Sequence, residues 1–148
     1  MTKEQTVNGL KRVTNLVVKD LEALPEEAIT KSFGPKVRTV ADIVYEVITV
    51  NDDVVRNCNG EACAEWPEGW LKAPAGLNTK AAIIEAYTSS AEAAIQAFEK
   101  ADLSEKVVSE MGESDKAERC RFLTLHNWYH LGQINFIQTL FGDDDWHW

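Results

Sequence analysis

Val40-Ala41-Asp42-Ile43-Val44-Tyr45-Glu46-Val47-Ile48-Thr49-Val50-Asn51 is the stretch on which the fold turns. Its density of β-branched residues suits a strand, but its spacing suits a helix. Val40, Ile43, Val44, Val47, Val50 and Val54 recur at intervals of three and four, not two, and so predict an amphipathic helix over about 40–57, opened at Thr39. Three other stretches share the period. Val7, Leu10, Val13, Val17, Leu21 and Leu24 form one face of a helix over about 3–24. The capping box Thr2-Lys3-Glu4-Gln5 starts it and Pro25 stops it. Ile83, Ile84, Tyr87, Ala91, Ala94, Ile95 and Phe98 predict a third helix over about 79–100, with Asn78 as its expected cap. The fourth runs over about 116–141, opened by Ser114 or Asp115 and closed near Gly142.

Four amphipathic helices of this length predict an all-α four-helix bundle over residues 1–142, followed by a short acidic and aromatic tail over 143–148. At 148 residues the chain has one domain's worth of core. The connection over 58–77 is long enough to span the second helix from end to end. Helices two and three are therefore expected to run parallel, with this segment as a long crossover. The segments over 26–38 and 101–113 read as medium loops.

The formal net charge of −9 argues against sequence-independent contact with phosphate backbones, so no nucleic-acid partner is expected. No apolar run approaches a membrane span, and no signal-peptide h-region follows Met1. Cys58, Cys63 and Cys120 are an odd set and do not form a disulfide framework, which fits a cytoplasmic protein. Cys58 and Cys63 could be half of a zinc site, but no further Cys or His pair lies nearby and they read as incidental, while Cys120 reads as a small core or flank residue.

The chemistry is expected on the fourth helix. His126 and His130 lie four apart, one turn from each other on the same side, with Phe122, Tyr129, Gln133, Ile137 and Leu140 nearby on the helical projection. Two imidazoles facing an apolar interior need partners for their nitrogens. A shared metal ion satisfies both, and so would separate hydrogen bonds to buried carbonyls or carboxylates. Asn127 stands where a zinc protease needs Glu, which excludes that chemistry. Glu46 sits on the flank of the second helix's apolar stripe and can either reach inward or remain in a solvated salt bridge.

His126-Asn127-Trp128-Tyr129-His130-Leu131-Gly132-Gln133-Ile134 resembles the C-terminal signature His-x-x-x-His-x-Gly-Gln of the DinB/YfiT-like superfamily. The second helix, Thr39 to Asn51, resembles the family's pattern as well, except that Glu46 stands where the family has histidine. The resemblance implies a small bacterial four-helix bundle, often dimeric, many of whose members hold a divalent metal on three histidines. Here the implied ligands are Glu46, His126 and His130, a His₂Glu set that suits zinc, nickel or iron. Asn51, Tyr129 and Gln133 are then supporting or substrate-pocket residues.

Relatives with thiol S-transferase or isomerase activity imply a metal-dependent enzyme that uses a low-molecular-weight thiol. The substrate would enter between helices two and four, under the long loop with Trp66 and Trp70 as a lid. The alternative is a metal-free bundle acting as a small-molecule-binding or stress-response dimer, and Glu46 in place of histidine favours it. The fourth helix is apolar nearly all round, so the long loop or a second subunit is expected to cover its outer side. Because the family it resembles is often dimeric, the resemblance implies a homodimer through this helix or the first.

Overall fold

The computed structural model describes residues 2–109 and 112–147. Four helices dominate: α1 (Lys3–Ala23), α2 (Val40–Cys58), α3 (Lys80–Lys100) and α4 (Lys116–Leu140). Each start is sealed by a side chain that accepts an otherwise orphaned N–H. Thr2 completes the capping box with Gln5, Thr39 accepts from Asp42, Thr79 from Ala82 and Asp115 from Glu118. The cap of α3 is thus Thr79 and not Asn78, which is the last residue before it. The all-α expectation needs one addition. The segment before α4 carries a two-stranded antiparallel hairpin, β1 (Lys106–Ser109) and β2 (Gly112–Asp115), where a loop was expected. Its apolar signal is only Val107, which is buried, and Val108, which is exposed. That is too short a run to stand out from a loop.

Contacts between helix ends give the directions. Lys3 at the start of α1 reaches the carbonyl of Ala101, just after α3, while Lys80 at the start of α3 reaches the carbonyl of Leu24, just after α1. These two helices are antiparallel. Cys120 Sγ lies 3.8 Å from the Thr6 carbonyl, so α1 and α4 start together and run parallel. The Ala41 amide donates to Ile29 O, which brings the start of α2 to the end of α1. Helices α2 and α3 are accordingly parallel, as the length of their connection predicts.

The crossover runs back along α2, and two buried aspartates of that helix hold it. The Ala64 amide donates to Asp53 Oδ1 at 2.6 Å. Farther along, Ala73 N and Lys72 Nζ donate to the two oxygens of Asp42, each at 2.9 Å. Burial works to raise the Asp42 carboxyl, but the bonds from Lys72 and Ala73 outweigh it and hold the group below its usual value of 3.8. A depressed folded-state pKa stabilises above the unfolded value and ceases to do so as the pH falls through the folded one. Asp42→Ala is therefore expected to cost about 1–3 kcal/mol near neutral pH. In denaturant titrations this deficit should shrink toward zero as the pH drops below 3.8.

The core is a continuous apolar cluster drawn from all four helices, with Leu10, Val13, Leu21, Val44, Ile83, Phe98, Leu123 and Ile134 essentially inaccessible. Cys120 is part of it, as expected of a small core residue. The tail beyond α4 has no helix over 143–147. His147 Nε2 pairs with Asp143 Oδ2 at 2.9 Å, and Trp146 stands out from the surface. Trp148 lies outside the described residues. No helix among the described residues is long and apolar enough to cross a membrane.

Candidate metal centre

Helices α2 and α4 are antiparallel neighbours, and where they face each other Glu46, His126 and His130 converge. The i, i+4 spacing places both imidazoles on the α2 side of α4, with His130 fully buried and His126 partly so. His126 Nε2 and His130 Nε2 are 3.1 Å apart. Glu46 Oε1 lies 3.3 Å from His130 Nε2 and 3.8 Å from His126 Nε2. Donors bound about 2.1 Å from one ion are separated by roughly 3.0–3.8 Å, depending on the coordination angle. All three measured separations fall in that range.

Glu46 answers the sequence question in both ways at once. It reaches inward with Oε1 and makes a salt bridge with Oε2, whose partner is Arg38 Nη1. The same guanidinium donates through Nη2 to Gln133 Oε1 at 3.1 Å, and Gln133 Oε1 also meets His130 Nδ1 at 2.9 Å. Because that oxygen can only accept, His130 carries its proton on Nδ1 and turns the lone pair of Nε2 toward Glu46. Arg38 and Gln133 thus link Glu46 to His130 in a chain of bonds that fixes two of the three donor groups.

Burial, the neighbouring His130 and Arg38 push His126 down to about 4. Burial also lowers His130, against the raising pull of Gln133 and Glu46. Both rings are therefore neutral near pH 7, the state in which imidazole binds metal. His126 is left with an unmet need. Its Nδ1 is buried with no hydrogen-bond partner. If Nε2 carries the proton, it can donate to His130 and Nδ1 is an orphaned acceptor. If Nδ1 carries it, the orphan is a donor and unprotonated Nε2 faces His130 Nε2 and Glu46 Oε1. A cation between the three donors suits the second tautomer, so the residues present fit a divalent ion.

Aromatic rings bracket the cluster. Phe122 stacks on His126 with centroids 5.7 Å apart, and Tyr129 meets His130 edge-on at 5.0 Å. Beside Gln133 opens a cavity of about 470 Å³, bordered by Lys36, Arg38, Ile43, Trp70, Tyr129 and Phe136 among others. Trp70 of the crossover lies over Arg38, whose Cζ is 4.2 Å from the ring centroid. The other loop tryptophan, Trp66, borders a different cavity, with Val50, Val54 and Phe122.

Of the other sequence candidates, Gln133 and Tyr129 border both the cluster and the cavity. Asn51 lies elsewhere, in a buried polar chain running Tyr87 OH to Asn127 Oδ1 at 2.7 Å and Asn127 Nδ2 to Asn51 Oδ1 at 3.4 Å. That chain joins three helices inside the bundle. Tyr129 and Leu140 are largely exposed and do not face the interior as the projection placed them. Arg38 was missed, because a lone arginine in a loop ahead of a cap carries no periodic signal. The only group of three or more potential metal-binding side chains found among the described residues is Glu46, His126 and His130, and neither Cys58 nor Cys63 belongs to it.

Comparison with known proteins yields one family and one fold. The model of the DinB superfamily matches residues 10–134. A crystal structure of a DinB-like protein from Bacillus cereus superposes with a TM-score of 0.73. The superposition covers 94% of this chain and 92% of that one at 16% sequence identity, a likeness of fold. No curated protein matches the sequence.

Proposed function

The chain belongs to the DinB superfamily, and from that premise we propose that it is a divalent-metal-dependent enzyme whose ion is held by Glu46, His126 and His130. The observation that carries this reading is the convergence of the three donor atoms, all within 4.8 Å of one another, on one interior point between α2 and α4. Zinc, nickel and iron each accept two imidazoles and a carboxylate. When bound, such an ion supplies Lewis acidity and lowers the pKa of a thiol or water beside it.

The chain's own residues do the rest. Gln133 keeps His130 in the tautomer that offers Nε2. Arg38 holds Glu46 in place, and Trp70 packs on the arginine. The adjoining cavity, lined mainly by apolar and aromatic side chains beside Lys36, Arg38 and Gln133, takes the apolar part of a small substrate. We assign transfer or isomerisation of a small electrophile with a low-molecular-weight thiol as the reaction class. Three free cysteines suit the reducing cytoplasm where such thiols abound.

The test is an assay of metal-loaded protein with a thiol and an activated aryl chloride or a conjugated enone. A rate above buffer that requires the ion and disappears in Glu46→Ala is expected. The same rate in protein treated with chelator would refute the assignment.

We also propose a homodimer through α4. Leu125, Tyr129, Phe136 and Leu140 are exposed along that helix, whereas the exposed positions of α1 are polar. Light scattering at micromolar concentration should report twice the chain mass, and a monomer would contradict it.

One observation favours the metal-free alternative: Arg38 already neutralises Glu46 without an ion. Under that reading chelator leaves the melting temperature unchanged, whereas a bound ion raises it by mass action.

A further inference from the structure

A second arginine, on α4, is buried with no counter-ion among the described residues. Arg119 is 5% exposed, and its Nε is buried with no hydrogen-bond partner. Among the described residues its guanidinium makes no hydrogen bond or ion pair, and the contact it has is with the ring of Phe122, 5.1 Å from Cζ to centroid. A buried charge left in this state is strongly destabilising, so its presence calls for an anion.

The surroundings form a site. Arg119 borders a cavity of about 310 Å³ walled by Val50, Val54, Trp66 and Phe122, a volume within the range of small-molecule pockets. Asp53 borders the same cavity, but one of its oxygens is committed to the Ala64 amide. On the other side of Arg119, Glu113 and Glu118 border an adjoining cavity, and neither pairs with it. One guanidinium with carboxylates at longer range suits a singly charged oxyanion better than a phosphate, and the apolar walls suit a hydrocarbon body.

We propose that Arg119 anchors a carboxylate-binding subsite, in which a small organic acid lays its carboxylate on the guanidinium and its body along Val50, Val54 and Phe122. Phe122 links this subsite to the metal centre, since its ring contacts Arg119 and also stacks on His126. Arg119 and His126 are seven residues apart on one helix, about 10 Å along its axis. Neither His126 nor His130 borders the Arg119 cavity, so Phe122 is the contact that the two places share. That link rests on the metal-dependent reading, whereas the subsite itself does not.

Calorimetric titration of metal-free protein with phenylacetate, phenylacetamide and inorganic phosphate tests it. Phenylacetate should bind at least about tenfold more tightly than the neutral amide or phosphate, and Arg119→Met should abolish that preference. Because the charge has no partner among the described residues, Arg119→Met should melt at or above the wild-type temperature; if it does not fold, Arg119→Gln provides the binding comparison. The His126→Ala, His130→Ala double variant should still bind phenylacetate. Equal binding of acid and amide, tighter binding of phosphate, or a preference that survives in the arginine variants would overturn the subsite. Phenylacetate binding intact in a protein that takes up no metal would sink the metal reading and leave the subsite standing.

Discussion

His130→Ala is expected to weaken binding of a divalent ion by more than about a hundredfold, and His126→Ala by a similar factor. Loss of a residue that only supports a ligand costs about 10- to 100-fold, and loss of a ligand itself costs more. With one imidazole gone, the remaining histidine and Glu46 cannot form the three-donor set that a catalytic zinc or iron site uses. Gln133→Ala, which removes the acceptor for His130 Nδ1, should fall in the smaller range. Competition with a chromogenic chelator reads all three variants in one experiment. If His130→Ala bound the ion as tightly as wild type, His130 would not be a ligand, and its bond to Gln133 would be only a way of satisfying a buried ring.

Arg38→Met should strongly destabilise the metal-free protein. The arginine and glutamate side chains are 9% and 17% exposed, so removing the guanidinium leaves a carboxylate in a site with little access to water. Breaking such a pair costs about 3 kcal/mol or more, equivalent to a fall of roughly 6–12 °C in melting temperature for a chain of this size. Glu46→Gln, Arg38→Met should cost less than Arg38→Met alone, because the stranded charge is then gone. Losses that simply add would mean that the two side chains act independently. Thermal melts of wild type, Arg38→Met, Glu46→Gln and the double variant in chelator-treated buffer make the comparison.

Much of this architecture is legible in the order of residues. Intervals of three and four in Val40 to Val54 override the β-branched composition, and the length of the connection after Cys58 implies parallel α2 and α3. The spacing of His126 and His130 points both rings at one place. Glu46 is harder, since a position on the flank of a stripe can face either way. What turns it inward is Arg38, which lies in a loop where no periodicity fixes a side chain's position. Arg119 is a different case. It sits seven residues before His126, on the same side of the helix, and a cation on an inward stripe is itself a signal. Apolar patterning passes over it because a charged residue there reads as a break in the stripe. Likewise Asp42 and Asp53 look like ordinary helix polar residues until the crossover folds back onto them. Long-range partners of this kind depend on where a loop travels, which local pattern does not encode.

The account depends on an ion at the meeting point of α2 and α4, and elemental analysis tests that most directly. Untagged protein, purified without chelator and desalted after exposure to zinc, nickel or iron, should retain an equimolar amount of one of them. The His126→Ala, His130→Ala double variant handled in parallel should retain only traces. Wild-type protein with no metal above trace, or a double variant that retains as much as wild type, would contradict the central claim.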